Sequence, residues 1–305
     1  MDTYQYLQHT LLAIEDNIKA NIKTKLTAAS LAKTIALSPV HLQRLFRLVF
    51  EQPMATYIRR RKLAASLESL LKSQLRIIDI ASEYGFEHEQ SYIRAFKREY
   101  GLTPREVRAQ GHIVQIVPPL HLSPSNKVGD GVFFGPEFVM VPTFHVVGRR
   151  HKVPFAVSDE MAPKVARDFW DKDREGVANR LGDDVYIGLT RRPLPVEDFS
   201  YYLPSVPVHR PGKTPEGLVA DTFPAALCAR FHYIGRHHYF DINANVADAM
   251  YNAIDAYEVD ENAKYAFTQG AKEYVYFERI AEKDYNGEYS KMEWFVPVTE
   301  KVEKR

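Results

Sequence analysis

The 305-residue chain carries 40 lysines and arginines against 39 aspartates and glutamates, so its overall formal charge is only +1. Its single cysteine, Cys228, excludes an internal disulfide, and no stretch approaches the roughly 20 apolar residues of a membrane span. The amino terminus lacks the basic start and long apolar segment of a signal peptide. We therefore expect a soluble, cytoplasmic protein with no membrane partner, long enough for two domains.

The charges are unevenly distributed along the chain. Residues 1–110 contain 17 basic and 11 acidic side chains, a net charge of +6, whereas the remainder contains 23 basic and 28 acidic side chains, a net charge of −5. A basic half beside an acidic half indicates an anionic partner for the first half alone.

The first domain shows the 3.6-residue periodicity of amphipathic helices. The pattern predicts a helix over 4–19, a second helix over 28–35 with Thr27 as its N-cap, and a third helix that begins after Ser38. The last two of these predicted helices form a helix-turn-helix.

A second helix-turn-helix is predicted over 77–108, where two helical segments flank the turn at Gly85. Between the two units, residues 53–72 predict a connecting helix of about 17 residues, or about 25 Å at 1.5 Å per residue. Such a helix could hold two recognition helices about one DNA turn, roughly 34 Å, apart on one face of a duplex.

These residues resemble the AraC/XylS DNA-binding domain over about residues 5–110. The positions that carry the resemblance keep fixed spacing across both units and the connecting helix: Leu31-Ala32, Ser38, Leu42, Arg44, Phe46, Tyr57-Ile58, Arg61, Leu63, Ala81, Gly85-Phe86, Phe96-Lys97, Gly101, Thr103-Pro104 and Arg108. Ala36 departs from the family by replacing the usual glycine of the first turn, which predicts a turn that is tighter or slightly strained. The resemblance implies a transcriptional regulator that binds double-stranded promoter DNA, with RNA polymerase as an expected further partner.

Candidate DNA contacts follow from position and chemistry, because outward residues near the start of a recognition helix face base edges. The predicted base contacts are Val40, Gln43, Arg44, Glu89, Gln90 and Arg94. The predicted phosphate contacts are Arg47, Arg59, Ser91 and Lys97.

A proline- and glycine-rich linker is predicted over 111–136, followed by a second domain over 137–305. In the second domain the first strand is predicted over 138–150, and the order strand-helix-strand-strand occurs twice. The predicted fold class is therefore multidomain: an all-α domain with two helix-turn-helix units, then an α+β domain of two β-α-β-β repeats on an antiparallel sheet.

Alternation assigns the side chains of the last two predicted strands to faces. Tyr274, Tyr276 and Glu278 share one face, whereas Glu293 and Phe295 lie opposite Trp294. A carboxylate among aromatic rings suits a cationic or amphipathic organic ligand.

The repeat order and the closing pattern Met292-Glu293-Trp294-Phe295-Val296-Pro297-Val298 resemble the GyrI-like effector-binding domain over about residues 137–300. The resemblance implies that Glu293 of the closing strand lies in the ligand pocket. The candidate effector-binding residues are Glu293, Phe295, Tyr276, Tyr274, Tyr186 and Trp170. Two alternatives stay open: a hydrolase in which Glu293 activates a water molecule, and an architectural DNA-binding protein. No catalytic residue or cofactor is expected. No metal site is expected either, since His232, His237 and His238 lack the convergent spacing of metal ligands.

Overall fold

The computed structural model describes residues 1–20, 26–110, 115–182, 185–193, 197–236, 244–267, 274–281 and 289–301. The chain divides into two compact units, Met1–Pro124 and Ser125–Arg305. The fold class predicted from the sequence is confirmed: a helical unit with two helix-turn-helix segments precedes an antiparallel sheet with helices.

The first unit consists of helices whose ends coincide with capping residues. Their bounds are α1 Thr3–Lys19, α2 Ala28–Thr34, α3 Pro39–Phe50, α4 Met54–Lys72, α5 Ile77–Glu83, α6 Glu89–Tyr100 and α7 Pro104–Gln110. Thr27 and Ser30 form a reciprocal capping box at α2, and the Ser38 hydroxyl accepts a hydrogen bond from the backbone N–H of His41 at α3. α6 ends where Gly101 adopts a left-handed conformation, with φ of +77°.

The connecting helix α4 packs against both helix-turn-helix units. Near its start, Tyr57 is fully buried and its ring contacts Phe46 of α3 with centroids 5.6 Å apart. Near its end, Leu67 and Leu70 join a cluster that includes Phe96 of α6. α4 therefore contributes to two cores at once, and its 19 residues make it about 28 Å long.

The turns of the two helix-turn-helix units close in the same way. In the first, the N–H of Leu37 donates to the carbonyl oxygen of Ala32 at 3.1 Å. In the second, the N–H of Phe86 donates to Ala81 at 2.8 Å. The residue before each donor is left-handed, as this closure requires, with φ of +54° at Ala36 and +73° at Gly85. The strain that the sequence predicts at Ala36 is therefore present.

The segment after α7 is anchored to the first unit by buried polar groups. Arg61 donates from Nε and Nη2 to the two carboxylate oxygens of Glu15, each at 2.8 Å, and from Nη1 to the carbonyl oxygen of Val117 at 2.5 Å. The Tyr57 hydroxyl donates to Glu15 at 2.8 Å and accepts from the N–H of Leu120 at 3.0 Å. Residues 115–124 of the predicted linker thus pack against helices α1 and α4.

The second unit is built on a sheet whose described strand pairs are all antiparallel. Its strands are β1 Lys127–Val128, β2 Gly131–Val141, β3 Phe144–Gly148, β4 His151–Pro154, β5 Val185–Arg191, β6 Phe199–Val208, β7 Val219–Phe223, β8 Ala226–Gly235, β9 Tyr265–Phe267, β10 Tyr274–Ala281 and β11 Ser290–Glu300. The main path runs β1-β2-β8-β11-β10-β5-β6-β3-β7, with β4 paired to β6 and β9 paired to β11.

The predicted duplication is visible in this strand order. One half contributes β8-β11-β10 and the other contributes β3-β6-β5, and the halves join where β10 pairs with β5 at the centre. Helices α8 Ser158–Lys172 and α9 Ala244–Glu258 pack through Phe169 and Met250 into the same core cluster, so they cover one face of the sheet. A second apolar cluster, which includes Phe277 and Phe295, occupies the other face.

The structure corrects two predicted boundaries. The sequence from 138 to 150 suggests one strand, but the chain forms β2 and β3 on either side of Pro142, and these strands are not neighbours in the sheet. The second domain also begins before residue 137, because β2 starts at Gly131 and buries Val132 and Phe133. A register shift in the β2–β8 pairing at Gly135-Pro136 accommodates the residues that suggested a linker.

None of the described helices is both long enough and apolar enough to cross a membrane.

The two turns allow a reciprocal test of backbone strain. We expect Ala36→Gly to raise the free energy of unfolding of the first unit by about 0.5–1 kcal/mol, because glycine adopts a left-handed conformation at no steric cost. Gly85→Ala should lower it by about 1 kcal/mol for the converse reason. Urea unfolding followed by far-ultraviolet circular dichroism measures both changes.

Ala64→Gly, inside α4, is the control. It should cost about 1 kcal/mol, as glycine does in an ordinary helix. A destabilisation of similar size in Ala36→Gly would show that the first turn carries no strain.

Candidate functional site

The outward face of α3 presents the residues predicted to contact bases in the first helix-turn-helix. Leu42, Leu45 and Phe46 point into the core, which leaves Gln43 and Arg44 exposed. Val40, at the start of the helix, is 65% exposed. An exposed valine in the first turn of α3 is available for an apolar contact such as a thymine methyl group.

The second recognition helix, α6, has a similar arrangement. Tyr92 and Phe96 are buried, whereas Gln90 and Arg94 are exposed on the opposite side. Glu89 is only partly exposed, and its carboxylate lies 4.0 Å from the Arg105 guanidinium. The structure therefore presents Gln90 and Arg94 openly and Glu89 as a partly neutralised side chain.

The predicted phosphate contacts fall into two groups. Arg47 and Lys97 are exposed on the recognition helices. Ser91 and Arg59 are partly buried, and burial followed by the charge of Arg98 lowers the pKa of the Arg59 guanidinium.

A cavity of about 230 Å³ lies inside the second unit, between the sheet and its two helices. Its walls combine aromatic, aliphatic and a few polar side chains, as small-molecule sites do. The lining residues are Val153, Ser158, Asp159, Ala162, Pro163, Ala166, Thr190, Ser200, Tyr202, Ala247, Tyr251, Tyr276, Glu278, Ile280, Met292 and Trp294.

The acidic group at the sheet side of this cavity is Glu278 of β10. It pairs across the sheet with Trp294 on one side and with Gly188 on the other, so these positions share a face. A Cβ atom on Gly188 would lie 2.3 Å from Glu278 Oε1 and 2.7 Å from the Tyr202 hydroxyl. Glycine at this position is therefore what leaves room for the carboxyl group.

Glu278 ends a chain of hydrogen-bonded hydroxyl groups. The Tyr202 hydroxyl donates to Glu278 Oε1, and the Tyr186 hydroxyl lies 2.5 Å from that of Tyr202. Burial raises the pKa of Glu278 to about 7, although the hydrogen bond from Tyr202 opposes the rise. The group therefore exchanges its proton near neutral pH, and a bound cation would favour its ionised form.

The structure corrects the predicted grouping of Glu293 and Phe295 with Tyr276. Glu293 precedes Trp294 on β11, so the two side chains lie on opposite faces of the sheet. The Glu293 carboxylate accepts hydrogen bonds from Arg230 at 3.3 Å and from Arg279 at 3.1 Å. Phe295 stacks on Phe277, with ring centroids 4.7 Å apart, in the apolar cluster of that other face.

The remaining predicted effector residues differ in their positions. Tyr276 lines the cavity, whereas Tyr186 lies behind it and supports Tyr202. Trp170 of α8 packs edge-on against Tyr186, with centroids 6.1 Å apart, and belongs to the helix–sheet core. The Tyr274 side chain is outside the described residues.

Sequence reasoning missed Glu278, Tyr202 and Trp294 as neighbours. Alternation alone places Glu278 on the same face of its strand as Tyr276, so the sequence contained this part of the information. The strand register that aligns Glu278 with Trp294 was not accessible, because it depends on contacts between segments that are distant in sequence.

No group of three or more histidine, cysteine, aspartate or glutamate side chains among the described residues could hold a metal ion. His232 is described: it is buried on β8, and its ring stacks on Phe134 with centroids 4.9 Å apart. His237 and His238 lie outside the described residues.

Two family models match the chain. Residues 31–110 match the model of a helix-turn-helix domain, and residues 137–298 match the model of the integron-associated effector binding protein. The second match alone covers more than half of the chain.

Curated relatives match the first unit. SoxS, a regulatory protein of Salmonella typhimurium, is 33% identical over 106 residues, which are 35% of this chain and 96% of SoxS. The right origin-binding protein of Escherichia coli is 33% identical over 107 residues, which are 34% of this chain but only 37% of that relative. A solved integron cassette protein from the mobile metagenome of Vibrio cholerae is 16% identical, with a TM-score of 0.38 over 56% of this chain and 100% of its own.

The titration of Glu278 makes the stability of the second unit depend on pH. A glutamate in an unfolded chain titrates near pH 4.3, whereas folded Glu278 titrates at about 7. The folded state therefore holds the extra proton between these values, and the free energy of unfolding should fall by about 3 kcal/mol as pH rises from 4.5 to 7, then level off. Urea unfolding at pH 5, 6, 7 and 8, followed by tryptophan fluorescence, reports on this unit because both tryptophans belong to it.

Glu278→Gln should abolish this fall in the free energy of unfolding with rising pH. Glu293→Gln, on the other face, leaves Glu278 in place and should retain it. A wild-type stability that is flat from pH 5 to 7 would rule out a protonated Glu278 in the folded protein.

Proposed function

We propose that this chain, which belongs to the AraC family of DNA-binding transcriptional regulators and carries an integron-associated, GyrI-like effector-binding domain, regulates transcription in response to a small organic cation. The DNA-binding part of the proposal rests on α3 and α6, each with an apolar face in a core on α4 and a polar face exposed. The effector part rests on one observation: the partly buried carboxyl group of Glu278 lines a cavity that tyrosine and tryptophan side chains also line.

The proposed DNA contacts are of two kinds, to base edges and to phosphates. Gln43 and Arg44 read one major-groove segment, and Gln90 and Arg94 read the next, since glutamine suits adenine and arginine suits guanine. Arg47 and Lys97 neutralise phosphates, which contribute affinity without sequence information. The proposed partners are promoter DNA in the cytoplasm and RNA polymerase, as expected for the family.

Substitutions in the two recognition helices should remove sequence preference at separate positions. Randomised duplexes selected on the wild-type protein define its operator. Arg44→Ala and Arg94→Ala should each lose about 1–3 kcal/mol of discrimination at one guanine, and the two guanines should lie about one helical turn apart. Competition binding on operators that carry single base changes measures the loss.

Arg210→Ala, an exposed arginine of the second unit, is the control and should keep the full preference. If Arg44→Ala and Arg94→Ala also keep the full sequence preference, Arg44 and Arg94 do not read bases.

The effector class follows from the chemistry of the cavity. A cation beside Glu278 would gain a charge pair in a water-poor site, and the rings of Tyr202, Tyr276 and Trp294 would offer their electron-rich faces. A volume of about 230 Å³ limits the enclosed part of the ligand to a group the size of a substituted aromatic ring.

A pair of isosteric probes separates charge from shape. Phenyltrimethylammonium carries a permanent positive charge, whereas tert-butylbenzene has nearly the same shape and none. We expect Glu278→Gln to weaken binding of the cation at least tenfold, about 1.4 kcal/mol, and to leave the neutral probe within twofold. Ligand titrations followed by protein NMR measure both affinities.

Glu293→Gln is the matched carboxylate control and should bind both probes as the wild type does. Unchanged binding of the cation by Glu278→Gln would remove Glu278 from the effector site.

A second candidate function is hydrolysis, which the position of the Glu278 carboxyl group at the cavity also supports. A carboxyl group with a pKa of about 7 beside a tyrosine hydroxyl is suited to general-base activation of water. The predicted base Glu293 is less suited, since two arginines hold its carboxylate. Mass spectrometry of recovered ligand distinguishes the functions: a sensor returns it intact, whereas a hydrolase yields a product that Glu278→Gln abolishes.

A further inference from the structure

A second cavity, of about 580 Å³, separates the two helix-turn-helix units within the first unit. We call it the inter-unit cleft, after the two helix-turn-helix units that it separates; it lies wholly within the first unit. α3 forms one wall, the turn before α6 forms the other, and α4 forms the floor. Its lining residues are Leu26, Thr27, Ala28, Gln43, Arg44, Arg47, Pro53, Met54, Ala55, Ile58, Arg59, Lys62, Gly85 and Phe86.

The charge of the inter-unit cleft has one sign. Arg44, Arg47, Arg59 and Lys62 contribute four basic side chains, and the lining contains no acidic residue. Within the described part of the chain, no carboxylate forms an ion pair with Arg47, Arg59 or Lys62. A cleft with this composition attracts an anion.

Two of these cations are partly withdrawn from water. Burial lowers the pKa of the Lys62 ammonium group, and it lowers that of Arg59, where the neighbouring charge of Arg98 outweighs that of Glu99. A cation that loses hydration without gaining a counterion is unfavourable. An anion in the cleft would relieve this cost.

The geometry of α4 explains why these cations face the cleft. At about 100° per residue, the apolar stripe around Met54 and Ile58 and the stripe around Leu63 and Leu70 lie on nearly opposite sides of the helix. Arg59 and Lys62 fall on the flank between the stripes, which is also the flank that the exposed Gln43 and Arg44 of α3 border.

We infer that the inter-unit cleft seats the sugar-phosphate backbone of the DNA between its two major-groove segments, with Lys62 and Arg59 each neutralising a phosphate. The inference rests on the proposed DNA-binding function, because a duplex read by α3 and α6 must pass the cleft that separates them. Met54, Ile58 and Phe86 line it with apolar surface for the deoxyribose and limit the water that would screen the phosphates. Lys62 is thereby assigned a DNA contact that its place outside the recognition helices does not suggest.

Salt dependence distinguishes a phosphate contact from a base contact. For duplex DNA, the slope of log Kobs against log salt changes by about 0.9 for each phosphate neutralised. We expect Lys62→Gln and Arg59→Gln each to make the slope shallower by about 0.9 and the double variant by about 1.8. Each single change should weaken binding of the selected operator and of a scrambled duplex by the same factor, roughly 3- to 10-fold.

Two matched variants control the measurement. Lys62→Arg keeps the charge and should keep the wild-type slope. Lys72→Gln makes the same chemical change on the same helix at an exposed lysine paired with Glu68, and it should also leave the slope unaltered. Thermal unfolding of each variant verifies that the helical unit is folded.

The outcomes separate this inference from the proposed function. If Arg44→Ala loses base discrimination while Lys62→Gln and Arg59→Gln keep the wild-type slope, the cleft does not seat the backbone but the regulator still reads DNA. If the loss in Lys62→Gln occurs on the operator and not on the scrambled duplex, Lys62 reads sequence and the inference is wrong. If the wild-type protein selects no duplex, both proposals fall together.

Discussion

The helical unit depends on the burial of two opposite sides of α4. Tyr57 and Ile58 are buried near its start, and Leu67 and Leu70 are buried near its end. A single rigid helix thereby belongs to both cores, so neither helix-turn-helix can rotate about it without exposing apolar surface. Arg61, one turn after Tyr57 on the first of these sides, anchors the following segment, and the cations of the inter-unit cleft occupy a flank between the two sides.

The second unit depends on a balance between burial and proton binding. Glu278 lies among aromatic rings, where an unpaired charge is costly, and its raised pKa is the direct result. Gly188 makes the space for its carboxyl group, and Tyr202 supplies its hydrogen bond. On the other face of the same sheet Glu293 is buried, and Arg230 and Arg279 hold it in ion pairs. The two glutamates therefore suit different tasks, a ligand site and a structural network.

The helical unit follows closely from its sequence because its signals are local. The Thr27 cap and the turns at Ala36 and Gly85 each act over four to six residues, and the structure has them where the sequence predicts them. Strand boundaries in the second unit were less accessible. Gly135-Pro136 suggested a linker, yet a register shift against β8 absorbs it within a strand.

The sequence by itself determined the two-unit organisation, the paired helix-turn-helix segments and the duplicated order of strands and helices. Helical periodicity, capping and alternation all reside in neighbouring residues, which is why they could be read directly. Only the tertiary structure decided which carboxylate faces the cavity. Alternation divides β10 and β11 each into two faces, but it cannot align one strand with the other. The register that sets Glu278 against Trp294, and Glu293 on the far side, arises from long-range pairing between strands.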